Sequence, residues 1–98
     1  IKMIKHIVCF KLKDNSEREC QRAKEVLLSM NGNVPTLRGI EVGIDFLHSN
    51  RSYDVLLAVD IDDKAALDAY ANDPYHCGVV KTHMHSVCES SITVDYEY

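Results

Sequence analysis

"IEVGIDFLHSNRSYDVLLAVDI", residues 40–61, holds two alternating runs with no helix between them. In the first, Ile40, Val42, Ile44 and Phe46 share one side. In the second, Tyr53, Val55, Leu57, Val59 and Ile61 share a side, with Asp54, Leu56, Ala58 and Asp60 opposite. A repeat of two is that of a half-buried strand. The intervening "LHSNRS" is polar enough for a turn, so the pair reads as an antiparallel hairpin. What flanks this hairpin decides the fold class.

Upstream, "MIKHIVCFKLK" (3–13) alternates as well: Ile4, His6, Val8, Phe10 and Leu12 point one way, and Met3, Lys5, Ile7, Cys9 and Lys11 the other. A helix follows in "DNSERECQRAKEVLLSMNG", opened by the capping-box spacing of Ser16 and Glu19 and stopped by Gly32 in a left-handed conformation. Cys20, Ala23, Leu27 and Met30 are its expected buried stripe. "NVPTLRG" is a loop by its Asn, Pro and Gly content. Downstream, "DDKAALDAYAND" is a short helix with Asp62 or Asp63 at its positive end. "PYHCGVVKTHMHSVCE" continues as helix, its proline tolerated in the first turn. "SITVDYEY" is a last strand, with Ile92, Val94, Tyr96 and Tyr98 on one side and Ser91, Thr93, Asp95 and Glu97 on the other.

The order β-α-β-β-α-β is that of an α+β ferredoxin-like sandwich, with both helical crossovers on one face of a four-stranded antiparallel sheet. The other face is then uncovered, yet Met3, Ile7, Cys9, Leu56 and Ala58 give it an apolar centre. A second copy packed sheet to sheet is the simplest cover, so a homodimer, a dimeric α/β barrel, is expected.

The 98 residues include no Gly/Ser-rich linker and only two prolines, which makes one domain over 1–98 the expectation. A chain this short buries roughly 60 to 70% of its unfolded surface, so burial at a subunit interface is a useful supplement. With 15 acidic against 11 basic residues and net charge −4, the electrostatic footprint of a nucleic-acid partner is missing. No run approaches the roughly 18 apolar residues of a membrane span, and the N-terminal stretch is unlike a secretory signal. A cytoplasmic protein with no membrane partner is expected.

The four cysteines, Cys9, Cys20, Cys77 and Cys88, read as free buried thiols. On one continuous helix Cys77 and Cys88 would stand roughly 16 Å apart, beyond disulfide reach. His83 and His85 in "KTHMHS" would be about 200° apart on a helix, and His76 and His83 roughly 10 Å apart along it, so no metal site is expected.

"MIKHIVCFKLKD", "LRGIEVGIDF", "SYDVLLAVDIDD", "ALDAYANDPYH" and "VDYE", in this order over essentially the whole chain, resemble the stress-responsive α/β barrel (Dabb) family. The resemblance implies ferredoxin-like dimers whose sheets join face to face into a barrel. It also implies a range of functions. One plant member is a polyketide cyclase that forms olivetolic acid by aldol chemistry without a cofactor, and others are heat-stable stress proteins that assemble into rings. The cyclase's catalytic tyrosine and histidine match Tyr70 and His76 by position, and the family's early-strand histidine matches His6. The family's H-P-x-H motif begins here with Asp73, and Asp54 stands where the cyclase has a third-strand histidine.

Such a pair is chemically apt, since an imidazole can remove a proton activated by two carbonyls and a phenol can donate to the enolate oxygen. The expectation is a cavity between helices and sheet lined by His6, Tyr70 and His76, taking a small, partly apolar ligand without cofactor. Catalysis there would be proton transfer or cyclisation. Structural roles stay open: Asp73 before Pro74 is what a helix start looks like, Tyr70 suits a core aromatic, and His6 and His76 suit locally bonded histidines. Two other functions stay open, a non-catalytic stress or assembly protein and a cofactor-free monooxygenase-like protein of the same dimeric fold.

Overall fold

The computed structural model describes residues 2–98. Strands β1 (Ile4–Leu12), β2 (Gly39–Ile44), β3 (Val55–Ile61) and β4 (Cys88–Glu97) form one antiparallel sheet in the order β2-β3-β1-β4. Helices α1 (Glu17–Leu28) and α2 (Lys64–Ala71), and a π-helical turn (His76–Lys81) running into α3 (Thr82–Val87), supply the crossovers. This is the ferredoxin-like order expected from the alternation. No helix among the described residues is long and apolar enough to cross a membrane.

The helix boundaries follow from caps. Ser16 accepts the Glu19 N–H at 3.4 Å, and Asp63 accepts the Ala66 N–H at 2.8 Å. At the Pro74 break, the Asp73 carboxylate accepts from the N–H groups of Tyr75 and His76 at 2.9 and 3.0 Å. Asp73 thus does what a residue before an N1 proline does. Gly32 is left-handed at φ +86°, but it sits in the turns beyond α1 rather than at the helix end, which is capped at Ser29.

Burial follows the strand alternation where the sheet is central. Val55, Leu57, Val59 and Ile61 of β3 are buried under α1, whose Cys20, Ala23, Val26 and Leu27 face them, with Met30 just beyond. Each such side chain contributes roughly 1.5–3 kcal/mol on leaving water. Pairing register puts Ile7 beside Ala58 and Val94, and Cys9 beside Leu56 and Ile92, all on the side away from the helices. Ile92 and Val94 are 50% and 57% exposed, so the apolar centre expected on the open face is present and extends across β4.

Four expectations are corrected. Strand β2 ends at Ile44 and Phe46 is 88% exposed, because the chain leaves the sheet before the alternation does. Likewise β3 begins at Val55, so Tyr53 and Asp54 precede it. The last helix ends at Val87 and Cys88 already opens β4, so Cys77 and Cys88 share no helix. Finally, only Cys20 is fully buried among four free thiols, and Cys77 is exposed. Asp54 is buried and accepts the Leu12 N–H at 2.8 Å and the Asn15 side-chain amide at 3.3 Å. It clamps the end of β1 and stands outside the helix/sheet cavity.

Candidate functional site

The helix-facing side of β4 is polar. Ser91, Thr93 and Asp95 pair with Phe10, Val8 and His6 of β1 and therefore point toward α2 and α3. A cavity of about 440 Å³ opens at this place. Its floor is Val8, Phe10 and Leu57, its roof Tyr70, His76, Val80 and Met84. It has the size and the mixed lining of a small-molecule site, apolar with a few convergent polar groups.

The three expected residues meet there. The rings of Tyr70 and His76 lie 4.4 Å apart at 30°, and those of His6 and Tyr70 lie 5.5 Å apart edge to face. The break at Pro74 turns the chain back after α2, and the Asp73 cap fixes where the next helical segment starts. Together they carry His76 to the ring of Tyr70 six residues earlier. Tyr70 is thus a wall between two imidazoles.

The electrostatics differ from group to group. His6 Nδ1 is hydrogen-bonded to the Asp95 carboxylate. A carboxylate in this position orients the ring and, when Nδ1 carries the proton, leaves Nε2 as the acceptor. Burial lowers the His76 pKa below 6.5, the nearby Lys81 and His6 add to this, and the Ala71 carbonyl and Asp73 oppose it. His76 is then a neutral imidazole at neutral pH, and its buried Nδ1 has no partner among the described residues. Tyr70 is 2% exposed, and burial first, then Asp73, push its phenol far above the ordinary value. Its hydroxyl donates to Met30 Sδ at 3.8 Å, deep on the α1 side. This ring reaches the cavity with its face and sends its hydroxyl elsewhere.

Asp95 was not singled out by sequence reasoning. The signal was available: in this fold β4 lies antiparallel beside β1, and setting the strand ends together puts Asp95 opposite His6. His85 lies at the cavity mouth, whereas His83 is half-buried with Nε2 unpartnered. Among the described residues no three His, Cys, Asp or Glu side chains converge as a metal would need.

A ferredoxin-like sandwich with an open apolar sheet face and a histidine-lined helix/sheet cavity defines the class of protein. Residues 4–98 match the model of the stress responsive A/B barrel domain, and the chain belongs to this Dabb family. No functionally curated protein matches it. Among solved structures, a dimeric protein of unknown function and ferredoxin-like fold from Bacteroides fragilis is 27% identical. It matches over 98% of this chain and 96% of its own, with a TM-score of 0.80. A dimeric ferredoxin-like protein of unknown function from Thermobifida fusca matches over 99% and 92%, at 19% identity and TM-score 0.84. The hydroxynitrile lyase of Passiflora edulis matches over 98% and 93%, at 14% identity and TM-score 0.82. The last two identities speak for the shared fold alone.

Proposed function

We propose that this chain is a homodimeric small-molecule-binding protein of one domain, working in the cytoplasm, whose helix/sheet cavity supports proton transfer at a carbonyl-activated carbon. In this reading two copies pack through the open sheet faces. The Bacteroides fragilis neighbour, described as dimeric, supports the pairing, and the exposed Ile92 and Val94 beside Ile7 and Leu56 supply the apolar surface.

The observation that carries the reading is the cluster of His6, Tyr70 and His76 on one cavity, with His6 tied to Asp95. His6 takes the proton through Nε2 while Asp95 stabilises the imidazolium that forms. His76, held neutral, donates a hydrogen bond from its ring N–H to the developing enolate oxygen on the other side of Tyr70. Tyr70 spaces the two imidazoles, and its hydroxyl joins the reaction only by leaving Met30. Nothing beyond the protein's own groups is required, and closure of a ring would follow if the enolate met a second carbonyl.

The test is loss of the α-proton signal of ethyl 2-methylacetoacetate in deuterium oxide, followed by NMR. Acceleration by the wild type that falls at least tenfold in both His6→Ala and His76→Ala is expected. Equal rates in all three proteins would refute proton transfer. A second reading, a stress or assembly protein in which these residues only hold the fold, is favoured by the inward turn of the Tyr70 hydroxyl. It predicts the same equal rates.

A further inference from the structure

We propose that Lys81 and His85 hold a carboxylate at the mouth of the cavity, so that the molecule it takes is a small organic acid with an apolar body. The inference rests on the reading of the cavity as a ligand site and names the ligand class. Lys81 closes the π-helical turn and His85 lies four residues on, one α-helical turn away, and both line the cavity.

The helix geometry explains how the lysine comes to be there. In an unbroken α-helix His76 and Lys81, five residues apart, would point about 140° away from each other. A π-helical turn, with its i→i+5 hydrogen bonds, is wound more loosely and brings them closer to one side. The helix then continues through Met84 and His85, both on the cavity wall. Lys81 acts electrostatically on His76, in agreement with this shared side.

The charge balance at the mouth favours an anion. Lys81 makes no ion pair among the described residues, whose ion pairs lie elsewhere. Two carboxylates share the lining: Asp95 is engaged by His6, and Asp68 on α2 lies beyond ion-pair distance of Lys81. One ammonium and one imidazole N–H suit a monoanion. A phosphate would call for arginine or a glycine-rich loop, and neither arginine nor glycine is found on this wall. Behind the mouth lie Val8, Phe10, Leu57 and Met84, which suit an alkyl or aromatic body.

The experiment titrates the full chain with hexanoate and with hexanamide, equal in shape and unequal in charge, and follows cavity-lining NMR signals at low salt. Hexanoate is expected to bind more tightly. Lys81→Gln should weaken hexanoate about two- to fivefold, the range for an ion pair at partial exposure, and leave hexanamide unchanged. Lys81→Arg should retain the preference, and His85→Gln should reduce it. Equal binding of the two probes by the wild type, or an undiminished preference in Lys81→Gln, overturns the carboxylate pair and leaves the cavity reading standing. Cavity signals that respond to neither probe overturn both.

Discussion

Replacement of Tyr70 by phenylalanine separates what its ring does from what its hydroxyl does. The ring is 2% exposed and packed between His6 and His76, so it carries most of the residue's stabilising effect. Among the described residues the hydroxyl's only partner is a thioether, at 3.8 Å, and a thioether is a weak acceptor. Removing it forfeits a bond worth no more than about 1 kcal/mol. It also relieves a buried hydroxyl of its desolvation cost, roughly 1–3 kcal/mol when poorly paired. The two nearly cancel, and Tyr70→Phe is expected to stay within about 1 kcal/mol of the wild type, in either direction. Tyr70→Ala removes the wall and should cost about 3–5 kcal/mol. Urea unfolding at fixed protein concentration measures both, with an unchanged m-value confirming that the same transition is compared. A loss above about 2 kcal/mol in Tyr70→Phe would refute the reasoning, because it would require a strong hydrogen bond that Met30 cannot provide.

Other expectations concern single features of the fold. Asp73→Ala should cost about 1 kcal/mol in the same assay, because the N–H groups of Tyr75 and His76 lose their cap, and should broaden the His76 ring signal. Asp54→Ala leaves the Leu12 N–H buried without its carboxylate and should cost about 1–3 kcal/mol. His76 titrates below 6.5 in the folded chain, so the unfolded chain binds its proton first as pH falls. Stability should therefore decline as pH drops through 6.5 and level off below the folded value, and His76→Gln should flatten that slope in urea melts. Val94→Lys puts a charge into the apolar patch of the open face on β4 and, if two copies pair through that face as proposed, should shift the wild-type dimer toward monomer in light scattering.

Much of this was legible in the chain because local chemistry agreed with the global fold. Ser16, Asp63 and the Asp73-Pro74 pair are caps whose partners lie within three residues, so spacing alone locates the helix starts. The buried side of β3 is equally local, since Val55, Leu57, Val59 and Ile61 alternate in a central strand. Features set by distant partners were not legible in the same way. Phe46 continues the pattern of β2, but the pairing with β3 ends at Ile44 and Val55, and Phe46 stands in solvent. The strand start at Cys88 is fixed by its pairing with Leu12, 76 positions earlier, against a run that by itself looks helical. The π-helical turn at His76–Lys81 carries no composition signal, yet it determines that Lys81 lines the cavity. Of the site, His6, Tyr70 and His76 could be named from the resemblance, whereas Asp95 required the β1–β4 register.

If the proposed function is right, the cavity between His6 and His76 receives a ligand. The direct measurement is a histidine ring-nitrogen NMR titration of the intact protein with ethyl 2-methylacetoacetate, which reads all five imidazoles at once. His6 and His76 should shift together and saturate, while His48, in the exposed loop before β3, should not move. Rings of His6 and His76 that stay still, or that drift no more than His48, would contradict it.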